Sequence, residues 1–302
     1  MPKIIAAYFD EPGFDSYPFN KDSYRRAYKQ LADLLAERGG TLAIVRGQET
    51  YGGGNTFSEG WICEGKTFQQ IRPLTANVLF NRGNLKADAD ALVVEEPALD
   101  HLCTDKSVTY AMFPALFPKT IVVHSAEEVP AALDALTTDQ IVAKPLDQEE
   151  GKGVIIGTKE AVARSLPFFP YLLQEFLDTS GGIAGICEGM HDFRIITIRG
   201  AVIAANITTP MPGSLVVNEA CGGVQHDVPL EKIPSEALAL FREVDASLHH
   251  FPNRVYCVDM GRDQGGRWKL IELNAKPGLD PLERDAGSAR YLRGLADLLV
   301  SV

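Results

Sequence analysis

Hydrophobic and polar positions follow two rhythms along this chain. Short apolar runs at 3–9, 41–45, 77–80, 91–94, 121–124, 141–145 and 154–157 read as strands, and so do 171–177, 191–198, 201–207, 255–260 and 269–274. Helical spacing appears at 22–38, where Tyr24, Ala27, Tyr28, Leu31, Leu34 and Leu35 share one side and Gly39-Gly40 stops the pattern. A second helix begins after a Thr104 or Asp105 cap and stops at Phe117-Pro118. A third covers 125–136, with Ser125 as cap and Glu128 at the capping-box position. Helices over 234–250 and 286–302 complete the set.

The strand-helix-strand opening predicts a parallel sheet. Residues 50–70 carry Gly52-Gly53-Gly54, Phe57, Trp61 and Phe68 without clear period and read as a β-hairpin excursion. The glycine-bearing stretches 178–191 and 208–227 read as loops, and the length of the second suggests a functional one. No internal repeat or low-complexity tract is visible.

Composition narrows the class. With 302 residues, 45% of them hydrophobic, the chain is long enough for two packed domains. Its net charge of −11 argues against nucleic acid or an anionic membrane as a partner. Five scattered cysteines without a C-x-x-C pair fit a reducing cytoplasm better than a disulfide framework. The start, Lys3 to Phe9, reads as a strand rather than a signal segment, and no apolar run reaches membrane-spanning length.

Candidate chemistry gathers at the C-terminal strands. Glu272 and Asn274 stand two residues apart on one strand, so both face the same way, and a carboxylate beside an amide oxygen suits Mg²⁺. Asp259, on the preceding strand, would complete the set across a hairpin. Taken singly, Asp259 as a turn starter and Asn274 as a strand cap are the preferred readings; the triplet favours the metal. Lys144 ends an apolar strand, where an ammonium needs an anion or solvent. It is followed by Glu149-Glu150-Gly151-Lys152-Gly153, a turn whose glycines allow backbone N–H groups near phosphate. Lys106 opens a helix. The end of the strand at Gln174-Glu175-Phe176 offers backbone groups to a planar heterocycle. Asp192 and Arg194 share a face and suit either ribose and phosphate or a mutual surface ion pair.

In this order Lys106, Lys144, the 151–153 turn, Glu175, Asp192, Asp259, Glu272 and Asn274 resemble the ATP-grasp ligases, and most closely the branch of ribosomal-protein glutamate ligases and bacterial glutathione synthetases. The resemblance covers 105–302 and implies an α/β fold: an N-terminal α/β domain over 1–104, then an ATP-grasp unit of two α+β subdomains, 105–178 and 179–302, clasping ATP. It implies that Lys106, Lys144, Lys152 and Gly153 hold the phosphates under a lid at 145–157. It also implies that Glu175 and Phe176 meet adenine, Asp192 the ribose, and Asp259, Glu272 and Asn274 two Mg²⁺ ions, with Mn²⁺ as an alternative. Asn218, before Gly222-Gly223, matches a catalytic Asn of that branch.

Val216 departs from the branch, which carries an arginine there; Arg194 or Arg254 is the expected substitute. Arg82, Arg284 and Arg290 are candidates for binding a substrate carboxylate, with a solvated surface charge fitting each at least as well. The implied reaction is ATP-dependent joining of a carboxylate to an amine through an acyl phosphate, on a small-molecule or peptide substrate. A small-molecule kinase and a nucleotide-binding module with little turnover are the alternatives. Homo-oligomerisation stays open.

Overall fold

A computed structural model of the protein describes residues 2–64, 67–88, 91–148 and 152–302. Strand Lys3–Phe9 pairs in parallel with Gly40–Arg46 on one side and Val78–Asn81 on the other, and Val93–Val94 adds a further parallel strand. Helix Asp22–Glu37 makes the first crossover and buries Ala27, Tyr28, Leu31, Leu34 and Leu35 against the sheet. The 50–70 stretch is more than an excursion. Gly60–Glu64 pairs antiparallel with Gly40–Arg46 and then with Thr67–Ile71, completing a six-stranded sheet.

Two short helices follow, Pro97–Thr104 and Lys106–Met112. The second is capped by Asp105, whose carboxylate accepts from the N–H groups of Ser107 and Val108. The first was not expected from the sequence. In the third expected helix, a 3₁₀ turn Ala126–Glu128 precedes helix Val129–Ala135, and Ser125 makes no side-chain cap. The expected capping box does not form; Glu128 Oε2 instead accepts from the N–H of His124, the residue before the cap, at 2.8 Å.

Beyond this point lie two antiparallel sheets. The four-stranded one runs in the order Thr120–Val123, Tyr171–Glu175, Gln140–Pro145, Ile155–Thr158. The five-stranded one runs Val224–Asp227, Ala201–Thr209, Asp192–Ile198, Val255–Arg262, Trp268–Asn274. Strand alternation gives this second sheet two unlike faces. One face, with Phe193, Ile195, Ala205, Ile207, Val258 and Met260, packs on helix Ser235–Ser247. The other face changes character along its length. At one end Ile196, Ile198, Ala204, Val255 and Cys257 join a core shared with the N-terminal sheet and helix Ala286–Ser301. At the other end the same face carries Arg194, Asn206 and Asp259 in register. A single core thus joins residues from both sides of position 104. Among the described residues, no helix is long and apolar enough to cross a membrane.

Candidate active site

A cleft of about 220 Å³ opens between the four-stranded and five-stranded sheets. Val142, Lys144, Ile156 and Gln174 line it from the first sheet, and Asp192, Arg194, Thr208 and Glu272 from the second. The link between the sheets, Phe176, Leu177 and Thr179, closes one end with Met190 and His191. Phe176, Leu177 and Met190 are apolar, whereas Lys106, Lys144, Asp192, Arg194 and Glu272 bring charge to the same cleft.

Cross-strand register brings the charged groups together. Asn206, Arg194, Asp259 and Glu272 are successive partners across four strands, so their side chains stand on one face. Asp259 is wholly enclosed and is gripped by Arg194 through two bonds, Nε to Oδ1 and Nη2 to Oδ2, each 2.6 Å. Burial raises the Asp259 carboxyl above its usual range, with Arg194 opposing. Asn274 Nδ2 donates to Asp259 Oδ2 at 3.0 Å and to Glu272 Oε1 at 3.3 Å. With the amide nitrogen committed to the two carboxylates, its oxygen is the atom suited to a cation. Burial alone would raise the Glu272 carboxyl, but Lys106, Lys144 and Arg194 together hold it below its usual value. Lys144, facing Glu272, has its pKa lowered by burial, and among the described residues its Nζ reaches only Ile271 O at 3.5 Å. Such a long contact leaves most of its donor capacity unused. Lys106 Nζ donates to Gln148 O at 2.6 Å and so ties the helix start to the segment after Lys144.

A family model described as the RimK-like ATP-grasp domain matches residues 109–290. The chain belongs to this family. Its sequence is 26% identical over 176 residues to a probable alpha-L-glutamate ligase of Trichodesmium erythraeum, covering 56% of this chain and 54% of that protein. The chain therefore spans about half the length of the relatives it matches. D-alanyl-alanine synthetase A of Vibrio cholerae superposes with a TM-score of 0.68 at 10% identity, over 99% of this chain and 98% of that one. A RimK domain protein of Sphaerobacter thermophilus gives 0.60 at 13%, over 98% and 99%. These likenesses extend the ATP-grasp fold to the N-terminal sheet, and the resemblance read from the sequence holds.

In this RimK-like chain the cleft brings together Lys106, Lys144, Phe176, Asp192, Arg194, Asn218 and Glu272. Asp259 and Asn274 stand directly behind Glu272. Among the described residues, no group of three or more His, Cys, Asp or Glu gathers for a metal; the trio here depends on an amide as its third member. Lys152 and Gly153 are exposed and do not line the cleft, and Glu149, Glu150 and Gly151 lie outside the described residues. Gly153 has φ +70°, and a Cβ there would meet Pro145 Cγ at 2.8 Å, so the turn requires glycine.

Several expectations need correction. The Glu175 carboxylate turns away from the cleft and accepts from Thr137 N at 2.7 Å and Thr137 Oγ1 at 2.6 Å. The N–H groups of Glu175 and Phe176 are spent on Lys119 O and Gln140 O, so neither is left for a heterocycle. Arg194 pairs with Asp259 on the next strand, not with Asp192. Asp192 is left with a buried Oδ1 that accepts no hydrogen bond, and burial pushes its carboxyl well up. Arg254 lies outside the cleft, bound to Asp245 by two bonds of 2.7 Å, and cannot replace the arginine missing at Val216. Arg82 is buried against Glu95 at 2.5 Å and is closed to substrate. Arg284 is held by Asp280 and Glu219.

Gln174, His191, Thr208 and Gln225 also line the cleft, although sequence reasoning assigned none of their side chains a role. Gln174 and His191 sit beside residues the sequence did single out, but neutral polar side chains on apolar strands give no signal of direction.

Proposed function

We propose that this protein uses ATP and Mg²⁺ to join a carboxylate to an amine. The observation that carries the reading is the opposition of Lys106 and Lys144 to Glu272, backed by Asp259 and Asn274, in a cleft also lined by Phe176, Leu177 and Met190. The residues present fit a Mg²⁺-nucleotide. Asp192 keeps an unpaired buried oxygen, as a hydroxyl-bearing sugar would require, and Lys144 keeps donors for phosphate. Asp259, Glu272 and Asn274 would hold Mg²⁺, which supplies charge neutralisation at the phosphoryl oxygens. Phe176, Arg194 and Asn218 line the cleft; Phe176 would pack against the base, and Arg194 and Asn218 would act where phosphoryl charge develops. In this reading the acid takes the γ-phosphoryl group as an acyl phosphate, and the amine displaces phosphate to leave an amide.

Two carboxylates could serve as base for a kinase. Asp227 lies outside the main cleft, whereas Glu219 lines it and accepts from Arg284 at 3.0 Å. A carboxylate acceptor is already ionised at neutral pH and needs no such base. The substrate is a small molecule or peptide, and five unpaired cysteines suit a cytoplasmic setting. The test is ADP release across a panel of amino acids and short peptides, in the parent and in Glu272→Gln. Release that needs both an acid and an amine, and falls about a hundredfold or more in the variant, is expected. Equal release by parent and variant at saturating Mg²⁺ would overturn the assignment.

A further inference from the structure

The buried Arg82 does something for the site although it never touches it. It directly follows strand Val78–Asn81 of the N-terminal sheet, with its side chain only 7% exposed. Its fork spans two units of the molecule. Nη1 donates to Glu95 Oε1 at 2.5 Å, while Nη2 donates to Pro277 O at 3.0 Å and Lys276 O at 3.3 Å. Those carbonyls belong to the first residues after Asn274, where strand Trp268–Asn274 leaves its sheet.

The same few residues are held from other directions. Lys276 Nζ donates to Gly83 O and to Asp100 Oδ2, both at 2.6 Å, and Tyr291 Oη donates to Pro277 O at 3.4 Å. Gly83, Asp100 and Arg82 all come from the N-terminal side of position 104. Glu95, the anchor of the fork, is itself unusual. It is fully buried, has the left-handed φ of +64° that a glutamate rarely adopts, and leaves Oε2 without a donor. Strain and an unpaired buried oxygen persist where surrounding contacts over-determine a position. A surface pair that merely docked two units would need neither.

We propose that Arg82 is a positioning residue for the cation-binding end of the cleft: by holding the Lys276–Pro277 backbone it fixes where Glu272 and Asn274 point. The inference rests on the assignment of Glu272 and Asn274 as Mg²⁺ ligands. A guanidinium is required because one planar group must meet a carboxylate and two carbonyls at once; an ammonium is a point donor on a flexible stem. Groups that orient metal ligands typically change metal affinity by 10–100-fold when removed.

The test compares ADP binding with and without Mg²⁺ by calorimetry in the parent, Arg82→Met and Arg82→Lys. In the parent, Mg²⁺ should tighten ADP binding. Both variants should keep metal-free ADP affinity within about twofold and lose about tenfold or more of the Mg²⁺-dependent gain. Arg82→Lys keeps a cation beside Glu95, so it preserves the fold should Arg82→Met not fold. A full Mg²⁺ gain in Arg82→Lys would overturn the proposal. So would an equal loss of ADP affinity with and without metal, which is what a purely structural role produces. No Mg²⁺ gain in the parent itself would instead reject the metal assignment.

Discussion

Replacing Arg194 with leucine removes one half of the ion pair that keeps Asp259 charged inside the sheet. Asp259 has no solvent exposure and receives two 2.6 Å bonds from Arg194, leaving only the 3.0 Å bond from Asn274 after the change. Removing one partner of a buried pair costs about 3–5 kcal/mol, because the other charge is stranded. Arg194 is 33% exposed, so solvent screening places the loss near the lower bound, about 3 kcal/mol. For a chain of this size that corresponds to a fall in Tm of about 5 °C.

Acid should relieve the loss. Burial already raises the Asp259 pKa, and without Arg194 it rises further above the unfolded value. The folded variant then binds more protons than the unfolded chain, so its stability recovers relative to the parent as pH falls from neutral towards the usual carboxylate range. Arg194→Leu combined with Asp259→Leu should regain most of the Tm, since no charge is stranded. Thermal melts of the three proteins at pH 7 and pH 5 measure this directly. A single variant within about 1 °C of the parent, or a double variant no better than the single, would refute the reasoning.

Two further outcomes follow from the same geometry. Lys144→Ala should weaken ATP binding by about tenfold or more while leaving adenosine binding unchanged, because one charged donor to phosphate is lost; calorimetry showing equal weakening of both would make Lys144 structural. Burial raises the Glu95 carboxyl to about 7 despite Arg82, from 4.5. The folded state therefore holds an extra proton between those values, and unfolding free energy should fall as pH rises through that window. Glu95→Gln should flatten the fall in a urea-denaturation series, and an unchanged slope would count against it.

Much of this architecture was legible because long elements carry clear periods. Helix Asp22–Glu37 and the paired strands Val255–Arg262 and Trp268–Asn274 stand where alternation and helical spacing put them. Short elements were not legible. Helix Pro97–Thr104 buries only Leu99 and Cys103, and Lys159–Ser165 only Val162, too few apolar positions to declare a period. The two-residue spacing of Glu272 and Asn274 was informative because strand geometry fixes side-chain direction. The glutamate at 175 misled because the strand ends there and its side chain is free to turn to Thr137. Pairing was the least visible feature. Nothing local tells that Arg194 meets Asp259, 65 residues away, or that Arg82 reaches the backbone beyond Asn274.

Trapping the activated acid tests the central claim most directly. With ATP, Mg²⁺ and hydroxylamine present, a ligase that forms an acyl phosphate converts its acid to a hydroxamate while releasing ADP. Across a panel of amino acids and short peptides, at least one acid should give hydroxamate and ADP in equal amounts, and Glu272→Gln should give neither at a comparable rate. A stable phosphorylated alcohol, with no hydroxamate from any acid, would contradict the account and make the protein a kinase.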